Sequence, residues 1–448
     1  MRLTLSVLGL GITIGLALHS QPRRIVLFVD PCNEDARVEV SAFHAAAERC
    51  SAEVFAVTSD AMADALKEGG RDNGGILRAP AAGDEIDWAA HILGDGAKIE
   101  AVLCGSDGGL ACAERLQHTL LPQCSNGIDP ARRDKYLANE RLRRARMAVA
   151  AQAVPKDWQS AEDFLTKLVS DDGLLAVLKP RRGTASVGVF VARSMEQARE
   201  IYTVLSNSLV SIDTSELQAS NQVVVQELLD GDEWIVDTVS RGGEHKVVAL
   251  WRYDKGAANN APFVYFGAQL MPATAAEADL IEYACSTLDA LSWKWGPAHI
   301  EIRRTRDGPR LIEVNAGRCN GLDFKLLADL CYGYNQFDAT VDAFLCAERW
   351  EALPSEPPLC LECRAWLVTL VSHVGGNLVR VRHVDKIKAM RSLLAFEPCA
   401  MQPGESIRHT TDLDTCAGVA LLAHRDGEVL AEDYEKLRAL QSSMFEVV

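Results

Sequence analysis

The apolar positions change their period along the chain. "RRIVLFVDP", "AEVFAVTS" and "IEAVLCGSDGG" are short continuous apolar runs closed by Asp, Ser or Gly, as expected of strands buried on both faces, and "ARVEVSAFHAAAERC" between the first two has helical spacing. Strands alternating with helices predict a doubly wound α/β domain over residues 23–125. From Leu174 to Glu348 the pattern turns antiparallel. "NQVVVQELLDGDEWIVDTVSRGGEHKVVALWRY" carries apolar runs broken at Asp230-Gly231 and Gly242-Gly243, which reads as a meander. "AHIEIRRTRDGPRLIEVNAG" reads as a hairpin around Asp307-Gly308. The Pro-rich "LPSEPPL" marks a boundary, and residues 349–448 mix strands with a final helix expected over Glu432–Met444, an α+β lobe.

Composition narrows the class. A chain of 448 residues, 48% hydrophobic and 24% charged, has enough apolar mass for several soluble domains. Its net charge of -16 argues against a nucleic-acid partner, since that affinity comes mainly from Lys and Arg on phosphates. The 13 cysteines follow no repeated spacing, which points to free thiols in a reducing compartment, cytoplasmic or inside an organelle. Cys360 and Cys363 have the spacing of half a zinc site, with no second half to complete it. Residues 1–22 include the uncharged apolar stretch Leu3 to Leu18, which reads equally as a signal peptide, an anchor or a folded extra segment. Membrane contact is expected only if it is retained as an anchor; a homodimer is open. Arg132, Arg133, Arg141, Arg143, Arg144 and Arg146 in "GIDPARRDKYLANERLRRARM" read as a solvated helix face.

The candidate chemistry lies in the antiparallel half. In "LLAVLKPRRGTASVGVFVA", Lys179 precedes the small residues Gly183, Thr184, Ala185, Ser186 and Gly188, the reverse of the phosphate loop in which lysine follows the last glycine. In the Asp307-Gly308 hairpin, Glu313 and Asn315 share a face because they are two apart on one strand. A three-residue loop pairing Thr305 with Pro309 sets Glu301 opposite Glu313. Two facing carboxylates repel unless a cation compensates, and with an amide oxygen beside them they suit Mg²⁺ (or Mn²⁺). The alternative is a strand pair neutralised by Arg303 or Arg310. Lys255 in "WRYDKGAANNAPFVYFG" is expected on a small polar loop, either one that closes over the reaction centre or a mobile exposed one.

Lys135 in "RRDKYLANE", Lys179 in "VLKPRRGTASVGV", "VVVQELLDGDEW" and "HIEIRRTRDGPRLIEVNAGR" follow one another as in the ATP-grasp superfamily of carboxylate-amine ligases. Over residues 23–448 the chain resembles the bacterial L-amino-acid ligase branch. That resemblance implies an N-terminal Rossmann-like domain over 23–125, a nucleotide-binding ATP-grasp core over 126–348 and a C-terminal lobe over 349–448. It implies ATP lying between two α+β subdomains under a glycine-rich hairpin, which explains why the lysine comes first. Lys135 and Lys179 would then contact the phosphates, with Gly183, Ser186 and Gly188 in the covering turn. Main-chain groups of Glu227 and Leu229 would read adenine, Gln226 would lie near its amine, and Glu233 would take the ribose hydroxyls. Glu301, Glu313 and Asn315 become the metal ligands, and Lys255 and Arg318 the catalytic cations. Relatives commonly place the arginine two residues after the asparagine, whereas Gly317 intervenes here. A positive φ or a bulge at Gly317 is expected to restore the direction of Arg318. The implied activity is ATP-dependent joining of a carboxylate to an amine, both small molecules and expected to be amino acids, through an acylphosphate. An ATP-grasp carboxylase or cyclase, or a nucleotide-binding regulator, is the alternative.

Overall fold

The computed structural model describes residues 22–31, 36–60, 62–63, 76–94, 97–170, 173–183, 188–207 and 222–448; the apolar N-terminal stretch and Ser186 lie outside them. Strands β1 (Arg23–Val29), β2 (Ala52–Thr58), β3 (Leu77–Arg78) and β4 (Ala97–Cys104) form a parallel sheet in the order β3-β2-β1-β4. Both faces of β1 are buried. Ile25, Leu27 and Val29 pack toward helix Leu110–Leu120, while Val26 and Phe28 pack toward helix Ala36–Glu48 and helix Gln336–Leu345. This two-sided burial explains the unbroken apolar run, because alternation appears only where one face meets water.

A second sheet holds β5 (Gln152–Ala153), β6 (Ala176–Pro180), β7 (Phe190–Ala192) and β8 (Val223–Glu227) in the order β5-β8-β6-β7. An eight-stranded sheet holds β9 (Asp232–Arg241), β10 (Glu244–Ala258), β11 (Ala261–Leu270), β12 (Gly296–Thr305), β13 (Gly308–Ala316), β14 (Arg364–Thr369), β15 (Leu393–Pro398) and β16 (Gly418–His424), in the order β13-β12-β9-β10-β11-β14-β16-β15. The expected meander is therefore split. Its first run, β8, joins the smaller sheet, and only β9 and β10 continue as a hairpin. Asp230-Gly231 marks a change of sheet, a distinction that local turn chemistry does not carry. The large sheet also continues through β14, β15 and β16 beyond the Pro-rich segment, whose Ser355 and Pro358 carbonyls accept from Val247 and Ala273. The last helix is Gly427–Gln441, capped by Asp426, and starts earlier than the spacing predicts.

Arg132 departs from the solvated face expected for it. It is 2% exposed, pairs with Glu114 at 2.5 Å and donates to the carbonyls of Leu291, Asn126, Gly127 and Ser292. A buried guanidinium is tolerable only when paired and fully hydrogen-bonded, and these contacts tie the segment before the Lys135 helix to the main body.

Candidate active site

The cleft lies where β6 and β8 of the smaller sheet face β9, β12 and β13 of the larger one, with Asp107 reaching in from the loop after β4. Helix Lys135–Arg144 starts at the cleft. Its N-cap Asp134 accepts from the amides of Tyr136 and Leu137 at 3.1 and 3.0 Å, fixing the first turn. Lys135 is thereby placed with its ammonium 2.8 Å from Glu313 and 2.5 Å from the Gly183 carbonyl. Lys179, on β6, is 5% exposed and lines the same cleft. Among the described residues its ammonium makes no hydrogen bond or ion pair. Burial and the neighbouring Lys135 push its pKa down to about 8, against the pull of Glu313, Glu301 and Glu233. A buried cation held near carboxylates without a direct partner suits a site that receives an anion. Gly188 has φ +73, a conformation that disfavours a side chain.

Gln226, Glu227, Leu228 and Leu229 line one edge. The Glu227 amide donates to the Ala151 carbonyl at 2.9 Å, so this N–H is committed. Gln226 is 3% exposed and its amide nitrogen has no partner among the described residues, a cost normally relieved by a ligand or water.

Glu301 and Glu313 are direct cross-strand partners, by a route different from the one expected. The loop has two residues, so Thr305 pairs with Gly308, and a bulge at Ile312 supplies the missing residue. Leu311 consequently enters the core while Ile312 and Glu313 both face the cleft. Burial opposes the charge on Glu301, but Lys255, His299 and Lys135 outweigh it and hold its carboxyl well below the ordinary range. Asn315 lies on the same wall. Two facing carboxylates and an amide oxygen fit a hard divalent cation that takes its other ligands from phosphates and water. Among the described residues no cluster of three or more His, Cys, Asp or Glu forms a fuller metal cage.

Arg318 also lines this cleft, beyond a Gly317 with φ +88 whose amide donates to the Pro297 carbonyl at 2.8 Å. An added Cβ at Gly317 would lie 2.8 Å from Leu110, so close packing as well as φ calls for glycine. Arg318 pairs with Asp107 at 3.0 Å. Burial raises the pKa of Asp107, but Arg318, Arg133, Lys135 and His299 bring it below the ordinary value.

Lys255 is not on a loop. It lies in β10, next to a register shift, and the hairpin turns only at Asn259 and Asn260, both at positive φ. Of the small and polar residues that suggest a loop, Asp254, Lys255, Gly256 and Ala258 are paired strand, and Asn259 and Asn260 form the turn. Lys255 contacts Glu233 and sits over the rings of Tyr265 and Tyr253 at 3.7 and 4.2 Å. Burial works against its charge, but Glu233, Tyr265 and Glu301 raise its pKa overall. Glu233 also accepts from Arg303 at 2.6 Å, so both its oxygens are engaged by cations. Cys319 is buried, with its thiol 3.6 Å from the Thr340 hydroxyl.

Two cleft residues escaped the sequence reading. His299 is 4% exposed and lies between Asp237, 2.8 Å from Nδ1, and Glu301, 3.4 Å from Nε2. Burial lowers its pKa, but the bonds to Asp237 and Glu301 raise it to about 9. The alternation of "HIE" already puts His299 on the face of Glu301, and Asp237 interrupts the apolar "WIVDTV" as only a partnered acid can. Asp107, after β4, occupies the strand-end position where parallel sheets carry ligands.

Residues 174–324 match the ATP-grasp domain family. Dapdiamide A synthase of Enterobacter agglomerans is 25% identical over 78% of this chain and 80% of its own. The L-amino acid ligase from Bacillus licheniformis superposes with a TM-score of 0.64 at 17% identity, covering 94% of this chain and 98% of that one. Carboxyaminoimidazole ribonucleotide synthase from Aspergillus clavatus, complexed with ATP, gives a TM-score of 0.59 at 13% identity over 94% and 98%. Residues 174–324 thus match an ATP-grasp domain, the ATP-grasp fold extends along nearly the whole chain, and the sequence is similar to that of a carboxylate-amine ligase.

Proposed function

We propose that this protein is an ATP-dependent ligase that joins the carboxylate of one small molecule to the amine of another, both amino acids, and releases ADP and phosphate. The observation that carries the reading is the convergence in one cleft of Lys135, Lys179, the Glu301–Glu313 pair and Arg318. Adenine would lie along Gln226–Leu229, with Gln226 given a partner for its buried amide. Lys135 and Lys179 would hold the phosphates. Glu233 would exchange a cation for the ribose hydroxyls, and the displaced Lys255 ammonium would turn to the γ-phosphate. Mg²⁺, or Mn²⁺, would be held by Glu301, Glu313 and Asn315, and when bound it supplies charge neutralisation across the phosphates. The substrate carboxylate takes up the γ-phosphoryl group, ADP leaves, and the amine displaces phosphate from the acylphosphate.

Phosphoryl transfer of this kind needs positioned cations more than covalent catalysis, and Lys135, Lys179 and Arg318 line the cleft as such cations. Arg318 would stabilise the oxygen that gains charge when the amine adds, and it would have to leave Asp107 to do so. The test is a screen of amino-acid pairs for phosphate release with mass detection of the product. Phosphate and amide appearing together only when both organic substrates are present is the expected result; phosphate release that ignores both substrates would refute it.

A further inference from the structure

His299 takes no direct part in the proposed reaction, yet its surroundings are too specific for a filler. It lies two residues before Glu301 on β12 and directly opposite Asp237 on β9. Its ring bridges the two carboxylates, 2.8 Å to Asp237 Oδ1 and 3.4 Å to Glu301 Oε1. Asp237 is 1% exposed and is itself immobilised, accepting from Trp251 Nε1 and Asn320 Nδ2 at 3.1 Å each. The Asn320 backbone N–H in turn donates to Gln336 Oε1 at 2.7 Å. The chain of bonds thus runs from the helix behind the sheet, through Asp237 and His299, to the plane of the Glu301 carboxylate.

For stability alone this arrangement is a poor choice. Burying an acid, an imidazole and a second acid costs desolvation that an apolar side chain of similar volume would avoid. A carboxylate that holds a histidine, which in turn holds a cation-binding carboxylate, is an arrangement that orients ligands and tunes their basicity. We propose that His299, clamped by Asp237, is a positioning residue that fixes the Glu301 carboxylate for the divalent cation accompanying the nucleotide. The inference rests on Glu301 being a cation ligand. The ring engages Oε1 alone, so fixing it sets the direction of Oε2. Glu313 is held differently, by Lys135 at the start of a helix, whereas Glu301 has its brace within its own sheet.

The test uses the full chain with Mn²⁺ and ADP, reading bound Mn²⁺ by electron paramagnetic resonance. His299→Leu is expected to weaken Mn²⁺ binding in the ADP complex by about ten- to a hundredfold. ADP binding without metal should stay within about twofold. His299→Gln, whose amide can still donate toward Glu301, should recover most of the loss, and Asp237→Asn should move in the direction of the leucine variant. A folded leucine variant with wild-type Mn²⁺ affinity would overturn the proposal. So would a glutamine variant no better than leucine, and that comparison with Asp237→Asn decides the matter if leucine does not fold. Because the readout is metal binding, His299-dependent Mn²⁺ binding in a chain that forms no amide would sink the ligase reading and leave this one standing. Amide formation with Mn²⁺ binding indifferent to His299 would do the reverse.

Discussion

Two lysines of this protein are almost equally buried and live in opposite circumstances. Lys246, 3% exposed on β10, donates to the carbonyls of Trp350 and Leu353 at 2.7 and 2.6 Å and lies 4.8 Å from the Trp350 ring centroid. Lys179, 5% exposed on β6, has carboxylates nearby and a second lysine beside it, and among the described residues no bond of its own. The first cation is spent on structure; the second is held ready. Burial alone does not separate a structural charge from a functional one, whereas the count of its satisfied donors does.

The sharpest way to break this comparison is at the far wall of the cleft. Glu313→Gln removes a hard anionic ligand while relieving the repulsion with Glu301, and should lower turnover by about a thousandfold or more with little change in thermal unfolding. Normal turnover at limiting Mg²⁺ would remove Glu313 from the metal site. Lys246→Met should do the opposite, costing about 2–4 kcal/mol of stability in denaturant titrations, because two buried carbonyls lose their donor, while the folded protein binds ATP as before. A loss of ATP affinity without a loss of stability would mean that Lys246 serves the nucleotide rather than the fold.

Arg318→Lys keeps the charge but loses the planar fork, and should cut kcat about a hundredfold with ATP affinity nearly unchanged. Equal losses in both would place Arg318 in nucleotide binding instead. Lys179→Met should weaken ATP binding by about tenfold or more and leave adenosine binding alone, since its ammonium acts on phosphate charge. The smallest effect is in pH. With a pKa of about 8 the free protein loses the Lys179 charge as pH rises through that value, so ATP affinity should fall above it, most visibly at low ATP. Lys135, Glu313, Glu301 and Glu233 face this group, and the Lys179→Met variant should lack this component of the pH slope.

Much of the cleft was legible in the sequence, for reasons that differ from residue to residue. The alternation around Asp307-Gly308 placed Glu301 opposite Glu313, although the turn is one residue shorter than expected and the Ile312 bulge restores the pairing. Patterns of period two report which face a residue takes and are blind to two compensating errors. Gly317 is a cleaner case, because a glycine interrupting a strand signals a special φ, and φ +88 is what the backbone adopts. Lys255 lies in a strand that the pattern does not reveal, because small and polar residues weaken the strand signal even where most of the strand is paired. Arg132 and β8 were misread for a shared reason. Whether an arginine is solvated, or which sheet a strand joins, depends on contacts such as Glu114 with Arg132 that no local window contains. The same holds for the brace from Asp237 to Glu301.

The acylphosphate is the central claim, and an isotope reports on it directly. The carboxylate substrate, labelled with ¹⁸O in both oxygens, is turned over with ATP and the amine, and the inorganic phosphate is analysed by mass. Transfer through an acylphosphate carries one labelled oxygen from the carboxylate into each phosphate released. Phosphate that remains unlabelled while amide accumulates would mean that the carboxylate oxygen never bonded to phosphorus, and would contradict the mechanism.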